Sequence, residues 1–399
     1  MAKRRSDPRS WGDATKLVRG GLDRSKHGET SEALFLNSGF VYDEPETAEK
    51  RFAGEDEGYV YGRYGNPTVT MFEERLALLE GAEACYALAS GMASVFGALA
   101  CQLTAGDHLV SSKALFGSCY QIVTSILPRF GIRTTLVDGK DLNAWKDAIT
   151  PDTKCVFLET PSNPTLEAID LEAVCGLARA RGATVVVDNI FATPILQRPL
   201  AYGADVIVYS GTKHIDGQGR VLGGAIMSTR AFKNELLKPF LRHTGPSISP
   251  FNAWVLLKGL ETLKLRVEAQ SHAAQQVAEA LQGMKGVTRV LYPHLDSHPQ
   301  AALCRKQMKL GGTMVTFEVE VEGGKKKAFD LLRNLAIIDI SNNLGDAKSL
   351  MTHPASTTHR NLGPEARAAM GITDGMLRLS VGLEDTADLI ADLKQAMAS

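Results

Sequence analysis

Three polar residues of this chain could share one reaction centre: Asn163, Asp188 and Lys213 supply an amide, an acid and an amine. Each follows a short apolar run, and each is separated from the next by 25 residues. That spacing fits one strand–helix–strand unit, whose two strands run in the same direction. Parallel strands end at the same edge of a sheet, where α/β proteins usually bind ligands. The spacing therefore predicts that the three side chains lie together at one edge.

Lys213 is a candidate nucleophile because it follows the apolar run 206–209 and the polar turn 210–212. A solvated loop lysine is the commoner meaning of such a stretch when it stands alone. A lysine with the ordinary pKa of ~10.4 is almost entirely charged at neutral pH, so burial and nearby cations would have to lower that pKa. The uncharged amine could then form a Schiff base with an aldehyde such as pyridoxal 5′-phosphate (PLP).

PLP would need an anion holder, a carboxylate for its pyridine nitrogen and a partner for its ring. Asp188 is the candidate carboxylate, since a turn or cap role explains it less well beside Lys213. The charge-assisted hydrogen bond would be worth roughly 1.5–3 kcal/mol. A helix start, whose free N–H groups suit an anion, and the turn before the lysine supply the candidate phosphate-binding residues. These are Ser90, Gly91, Met92, Ser210 and Thr212.

Two further residues could complete such a site. Phe116 could stack on the ring, although the sequence alone favours plain core packing for it. Arg378 is flanked by apolar strand residues, and a half-buried guanidinium requires an acceptor. An internal salt bridge and a bidentate pair with a substrate carboxylate both remain open for Arg378.

Strand and helix patterns alternate from residue 84 to residue 209, which predicts a largely parallel sheet with helices on both faces. The predicted strands are 84–88, 108–110, 133–137, 155–159, 184–187 and 206–209, with 220–228 running past the lysine. A helix starting at Ser249-Pro250 and ending near Met284 is long enough to be a spine between domains.

Beyond the long helix we expect a smaller α+β domain. Its predicted strands lie near 287–291, 314–321, 336–340 and 376–381. The predicted fold class is thus α/β with a smaller C-terminal α+β domain, divided into an N-terminal arm at 1–57, a large domain at 58–255 and a C-terminal domain at 256–399.

Composition describes an ordinary globular protein, with 44% hydrophobic and 22% charged residues among 399 and a net charge of −1. Such a balance gives no reason to expect nucleic acid or a membrane surface as a partner. The six cysteines show no C-x-x-C spacing, and no H-E-x-x-H or Cys/His cluster predicts a metal. No secretory pattern or long apolar run is present, so we expect a cytoplasmic protein.

The stretches around Asp188 and Lys213 resemble the PLP enzymes of cysteine and methionine metabolism, which share the aspartate-aminotransferase-like type I fold. The resemblance runs from about residue 15 to the end and is densest at 188–194 and 210–224. It implies that Lys213 carries PLP as a Schiff base and that Asp188 pairs with the ring nitrogen. It also implies that Asn163 lies near the ring's phenolic oxygen and that the phosphate is held by Gly91, Met92, Ser210 and Thr212.

The same resemblance carries an expectation about assembly and substrate. Tyr61 and Arg63 match a Tyr-x-Arg pair that reaches the phosphate in a neighbouring subunit, which implies a homotetramer built from dimers with shared active sites. Arg378 matches the arginine that binds the substrate α-carboxylate, with Ser341 and Asn163 nearby. Tyr61 is also a candidate contact for the substrate.

Residues 343–350 and 354–359 resemble the sulfhydrylase branch of the family, and 216–221 with 244–254 resemble members that use the succinyl ester. The implied reaction is γ-replacement, in which sulfide and an O-acyl-L-homoserine give L-homocysteine for methionine biosynthesis. Phe116 stands where most relatives have a tyrosine; its ring can stack, but it has no hydroxyl to move a proton. Lys213 is therefore the expected principal base.

Several alternatives remain open at this point. The acyl group could be acetyl, and cysteine could replace sulfide, as in cystathionine γ-synthase. Any second carboxylate on the acyl group could be bound by Arg63, Arg242 or Arg360. Methionine γ-lyases generally carry Tyr-Gly-Cys where this chain has 116–118 as Phe-Gly-Ser, which counts against a lyase. A nucleotide-binding protein without PLP is disfavoured because 217–223 misses the G-x-G-x-x-G spacing by one. A non-catalytic binding protein would need a broken site, and every expected polar group is present.

Overall fold

The computed structural model describes residues 7–320 and 324–398, and its strands form two sheets. The larger sheet contains, in chain order, β1 Ala84–Leu88, β2 His108–Ser112, β3 Arg133–Val137, β4 Thr153–Glu159, β5 Thr184–Asp188, β6 Val206–Ser210 and β7 Gly224–Ser228. The smaller sheet contains β8 Val287–Leu291, β9 Met314–Val319, β10 Asp339–Ile340, β11 Leu350–Thr352 and β12 Met376–Ser380.

The larger sheet has the strand order β1-β7-β6-β5-β4-β2-β3. Five of these strands, β2 to β6, are parallel to their neighbours within that group, which confirms the predicted largely parallel sheet. β7 runs antiparallel to β6, and β1 runs antiparallel to β7. The connection from β6 to β7 contains the short lysine-bearing turn Gly211–Ile215 and no crossover helix, so the chain returns in the opposite direction.

Helices cover both faces of the larger sheet and one face of the smaller sheet. They are α1 Asp13–Arg19, α2 Pro45–Ala53, α3 Pro67–Glu80, α4 Gly91–Ala100, α5 Gly117–Gln121, α6 Leu127–Arg129, α7 Leu142–Ala148, α8 Leu171–Arg179, α9 Thr193–Leu196, α10 Arg230–Phe232, α11 Lys238–Thr244, α12 Pro250–Gln282, α13 Ala301–Gln307, α14 Gly324–Asn334, α15 Gly363–Ala369 and α16 Thr386–Ala398. In the described part of the chain, no helix has the length and apolar character that crossing a membrane requires.

The central strands are apolar on both sides because both sides face a core. In β5, Val185 and Val187 pack into one hydrophobic cluster, whereas Val186 packs into another. In β6, Ile207 joins the first cluster and Val208 the second. Side chains alternate across a strand, so a strand covered on both faces reads as a continuous apolar run.

Helix α12 joins the two units of the fold. Ser249 caps it by accepting a hydrogen bond from the N–H of Phe251, and Pro250 occupies its first position, as the sequence predicts. Leu260 in its first half packs into the core of the larger sheet, whereas Val277 and Leu281 in its second half pack into the core of the smaller sheet. The helix crosses the predicted division at 255/256, and the position of that division stays a prediction.

Two strands of the smaller sheet differ from the prediction. β10 is shorter than the predicted 336–340, because the carboxylate of Asp392 accepts the backbone N–H groups of residues 336–338 and takes them out of the sheet ladder. β11 has three residues and was not predicted, since so short a run shows no period.

In the described part of the segment before residue 58, some residues pack against the rest of the chain and others are exposed. Leu17 in α1 is fully buried in the larger core, and the carbonyl of Gly20 accepts a hydrogen bond from Arg75 Nε. Further along, Leu36 is 69% exposed and Val41 is 94% exposed. Contact between the predicted arm 1–57 and a neighbouring subunit stays a prediction.

Candidate active site

Strands β4, β5 and β6 end side by side, at the edge where the sequence predicts a site. They are adjacent and parallel, with Glu159 in register with Asp188 and Asp188 in register with Val208. Asp188 is the last residue of β5, Asn163 lies four residues beyond β4, and Lys213 lies three residues beyond β6. The predicted arrangement of strand ends is therefore present in the structure.

Lys213 lies in the turn after β6 with a backbone conformation (φ −92°, ψ −127°) unlike that of the helical residues around it. Its Nζ donates a hydrogen bond of 2.6 Å to Oδ1 of Asn343, in the smaller unit of the fold. Burial lowers the pKa of Lys213 to about 8, and the positive charge of Arg378 acts in the same direction. The amine thus meets the requirement for a nucleophile and base near neutral pH.

Helix α12 anchors the turn that carries the lysine. Arg266 donates from Nη1 to the carbonyl of His214 (2.8 Å) and from Nη2 to the carbonyl of Ile215 (3.3 Å). Gly217 has a positive φ of 67°, and a Cβ atom there would lie 1.8 Å from Nη1 of Arg266. Only glycine allows this close approach, which anchors the lysine turn to the long helix.

Asp188 is buried, with 2% of its surface exposed. Its Oδ1 accepts a hydrogen bond from the N–H of Ile190 (3.1 Å), and it takes part in no salt bridge within the described residues. Burial raises the pKa of Asp188 to about 7. A buried carboxyl without a cation is costly, so its chemistry fits a protonated pyridine nitrogen as the missing partner.

The predicted anion holder is formed where α4 begins beside the end of β6. The N–H groups of Gly91 and Met92 are the first two of α4 and have no acceptor within the helix. A Cβ atom at Gly91 would lie 2.5 Å from Cβ of Ser210, so only glycine lets the two elements meet this closely. The result is a cradle with free N–H donors that fits a phosphate.

The hydroxyls of Ser90 and Thr212, both predicted to bind phosphate, make hydrogen bonds that shape this cradle. Ser90 Oγ accepts the N–H of Ala93 (3.1 Å) and caps α4. Thr212 Oγ1 accepts the N–H of Gly223 (3.1 Å) and donates to its carbonyl (3.3 Å), which fastens the lysine turn to the approach of β7. Direct phosphate contact by either hydroxyl stays a prediction.

Phe116 precedes α5 and is half-buried against the hydrophobic cluster that includes Leu115 and Cys119. Its backbone N–H donates to Oε2 of Glu159 (2.7 Å). Core packing therefore buries part of the Phe116 ring, and the exposed part could stack on a cofactor ring. The stacking role of Phe116 stays a prediction.

Arg378 is 1% exposed in the middle of β12. Nη1 donates to Oδ1 of Asn163 (2.9 Å), and Nη2 donates to the carbonyls of Asn342 (2.9 Å) and Asn343 (3.2 Å). Nε is buried and has no hydrogen-bond partner among the described residues. Burial lowers the pKa of Arg378 to about 10, and Glu159 acts in the opposite direction. No carboxylate lies within salt-bridge distance of Arg378 in the described residues, so its unsatisfied charge suits a substrate carboxylate.

Asn343 is a site residue that the sequence argument did not single out. Its side chain accepts from Lys213 and its carbonyl accepts from Arg378, so one residue joins the amine to the guanidinium. Ser341, the predicted substrate contact, accepts the N–H of Asn343 at its Oγ (3.2 Å) and supports this loop. Asn343 lies within a stretch that resembles the sulfhydrylases, but nothing in the sequence reveals its pairing with Lys213.

Glu159 and His359 were also missed. Glu159 ends a buried strand just as Asp188 does, and this position is the signal that could have identified it. His359 is fully buried with Nδ1 2.8 Å from Oγ1 of Thr358. Burial and the nearby Arg378 lower the pKa of His359 to about 4, so it is a neutral side chain at the site.

Tyr61 and Arg63 lie elsewhere on the chain. The guanidinium of Arg63 lies over the ring of Tyr64 (4.8 Å to the centroid) and donates to the carbonyl of Arg242. Tyr61 is 43% exposed and packs edge-on against Tyr64. Within the described residues, their contacts are with this group and do not join Lys213 or Asp188 of the same chain.

Comparisons with known proteins place this geometry in context. The family model for the Cys/Met metabolism PLP-dependent enzymes matches residues 14–398. The chain is 56% identical over 393 residues to O-succinylhomoserine sulfhydrylase of Mycobacterium tuberculosis, covering 98% of this chain and 97% of the relative. It is 46% identical over 385 residues to O-succinylhomoserine sulfhydrylase of Pseudomonas aeruginosa, covering 96% and 95%.

A solved structure shows the same fold. A putative O-acetylhomoserine (thiol)-lyase from Campylobacter jejuni, with N′-pyridoxyl-lysine-5′-monophosphate in its chain, superposes with a TM-score of 0.93. It is 32% identical in sequence, and the match covers 98% of this chain and 100% of that chain.

Proposed function

Because this chain belongs to the family of Cys/Met metabolism PLP-dependent enzymes, we propose that it converts O-succinyl-L-homoserine and sulfide to L-homocysteine and succinate. The 56% identity over nearly the whole chain to an O-succinylhomoserine sulfhydrylase carries this choice of reaction. The contacts that join Lys213, Asn343 and Arg378 supply a base beside a carboxylate receptor, as the reaction requires.

The residues present fit the cofactor. Bound PLP supplies an aldehyde for an amino group and a protonated ring that accepts the electrons left when the Cα–H bond breaks. Lys213 would hold the aldehyde carbon, and Asp188 would pair with the ring nitrogen and so keep it protonated. The N–H groups of Gly91 and Met92, with Ser210, would hold the phosphate.

Arg378 orients the substrate through its α-carboxylate. Its position is fixed by Asn163 and by the carbonyls of Asn342 and Asn343, which leaves the buried Nε for the incoming anion. A charge-assisted hydrogen bond from this Nε would hold the α-carboxylate and so orient the neighbouring Cα.

Lys213 Nζ performs the proton transfers. With the cofactor bound, Nζ of Lys213 would take the proton from Cα of the substrate and then move a proton at Cβ. The succinyl group leaves Cγ as a carboxylate, sulfide forms the new bond at Cγ, and Nζ returns the protons. Phe116 has no hydroxyl to share this work, so one base within hydrogen-bond reach serves each step.

An assay of two esters against two nucleophiles tests the proposed reaction. Purified protein supplied with PLP should form homocysteine and succinate fastest from O-succinylhomoserine and sulfide, with the O-acetyl ester and cysteine as the competing substrates. Faster formation of cystathionine from cysteine would make the chain a γ-synthase. Release of methanethiol from methionine as the fastest reaction would instead identify a lyase, and preference for the acetyl ester would contradict the succinyl assignment.

The proposal extends to assembly. We infer a homotetramer built from two dimers, in which Tyr61 and Arg63 of one subunit reach the phosphate of its neighbour. Two observations support it: Arg63 contacts Tyr64 and Arg242 of its own chain and makes no described contact with Lys213, and the nearby arm exposes apolar side chains at Leu36 and Val41. Small soluble substrates and free cysteines suit a cytoplasmic enzyme.

Mixing two inactive variants tests the shared site. Arg63→Ala should weaken cofactor retention, and Lys213→Ala should lack turnover. After subunit exchange, a mixed dimer holds one intact site and one doubly altered site, so random mixing should restore about one quarter of wild-type activity.

The matched control mixes Lys213→Ala with Asp188→Asn. Both residues belong to the same chain's site, so every site of a mixed dimer keeps one defect and activity should stay low. Native mass spectrometry of size-tagged subunits checks that exchange has occurred. If the Arg63→Ala mixture stays inactive after verified exchange, the site is not shared in this way.

A further inference from the structure

Glu159 is a buried acid that the proposed reaction does not use. It ends β4, has 4% of its surface exposed and lies in register with Asp188 on β5. Each of its oxygens accepts one backbone N–H: Oε1 accepts that of Asn163 (2.9 Å), and Oε2 accepts that of Phe116 (2.7 Å). One side chain therefore joins the loops that follow β2 and β4.

Both residues held by Glu159 have side chains at the site. Phe116 carries the ring that is predicted to stack on the cofactor. Asn163 receives Nη1 of Arg378 at its Oδ1 (2.9 Å), so its position sets the position of the carboxylate receptor. Glu159 is thus connected to the cofactor pocket through one residue and to the substrate pocket through the other.

The placement of Glu159 is costly for the fold. It has no cation within salt-bridge distance in the described residues, and burial together with the adjacent Asp188 raises its pKa well above the usual range. The two backbone N–H donors and the positive charge of Arg378 lower the pKa of Glu159 in part, and the buried thiol of Cys119 lies close to both acids. An apolar residue would avoid this cost but would leave the two N–H groups without an acceptor.

We propose that Glu159 is a positioning residue that fixes Phe116 against the cofactor ring and Asn163 against Arg378. The proposal rests on the proposed PLP enzyme function and deepens it. A purely structural role would place Glu159 among the buried polar groups that only stabilise the fold, and Glu80 at the end of α3 represents that class. Glu80 is equally buried, and its Oε2 accepts from the hydroxyl of Tyr209 (2.7 Å).

The test compares Glu159→Gln with Glu80→Gln. Glutamine at 159 keeps one acceptor oxygen but turns an NH2 group toward one of the two N–H donors. We expect the dissociation constant of PLP to rise about 10-fold, since one of the two hydrogen bonds that hold Phe116 and Asn163 in place is lost. The circular dichroism of the bound cofactor's visible band should weaken, because the ring is less fixed, and KM for the O-acylhomoserine should rise more than kcat falls. Glu80→Gln should lower the melting temperature and leave all three quantities at wild-type values.

Wild-type cofactor affinity and circular dichroism in Glu159→Gln would overturn the proposal, as would equal changes in Glu80→Gln. If Glu159→Gln does not fold, Glu159→Asp takes its place, since the shorter side chain keeps the carboxyl group but cannot reach both N–H groups. Failure of both to fold while Glu80→Gln folds would assign Glu159 a structural role. The cofactor readouts need no substrate, so a different substrate would refute the proposed reaction without affecting this test, whereas a wild-type chain that binds no PLP would refute both.

Discussion

Lys213→Ala is expected to lower turnover by about 10³-fold or more, because it removes both the amine that holds the aldehyde and the base that moves the protons. The structure supports this size of effect, since the amine is partly buried, has its pKa lowered to about 8 and is held by Asn343. Steady-state homocysteine formation measures the loss. The variant should also lack the yellow colour of a cofactor bound to lysine.

A second lysine provides the control for Lys213→Ala. Lys258 lies in α12 and pairs with Glu32, so Lys258→Ala removes a partly buried lysine outside the site. The turnover of Lys258→Ala should stay within a few-fold of wild type, because Lys258 lies outside the site. A colourless Lys213→Ala protein with full activity would end the proposed function.

Asp188→Asn is expected to lower turnover roughly 10- to 100-fold, because an amide cannot hold the ring nitrogen in its protonated form with a charge-assisted bond. The carboxyl has no cation as a partner among the residues that the structure describes, and burial raises its pKa to about 7. The cationic ring would lower that pKa again, so cofactor binding and ionisation of Asp188 support each other. Turnover and the dissociation constant of PLP are the measurements.

Asp392→Asn is the matched control for this substitution. Asp392 is also a buried acid, but it accepts the backbone N–H groups of residues 336–338 in the smaller unit. Its replacement should reduce thermal stability while cofactor affinity stays unchanged. Wild-type turnover in Asp188→Asn would show that the acid does not serve the ring nitrogen.

Those parts of the site that depend on the order of strands and helices along the chain could be predicted from the sequence. Strand ends recur at a fixed spacing, which placed Asp188 and Lys213 at one edge, and Ser249-Pro250 marked the start of α12. Family membership and the similarity to the sulfhydrylases are confirmed by the comparisons.

Contacts between distant residues could not be predicted in this way. Asn343 meets Lys213 across 130 positions, and no periodic pattern encodes such a pair. The position of Glu159 at a strand end could be predicted. Its partners could not, because they are backbone N–H groups, which every non-proline residue has. The shortened β10 has the same cause, since Asp392 lies more than fifty residues away from the amides it accepts.

The grip of Arg266 on the lysine turn has a mechanical consequence. The same helix that carries this guanidinium contributes Val277 and Leu281 to the other hydrophobic core. Rotation of the smaller sheet against the larger one would therefore move α12, and with it the hydrogen bonds from Arg266 to the carbonyls of His214 and Ile215. A shift of this helix would therefore alter the turn that carries Lys213 as well as the core of the smaller sheet.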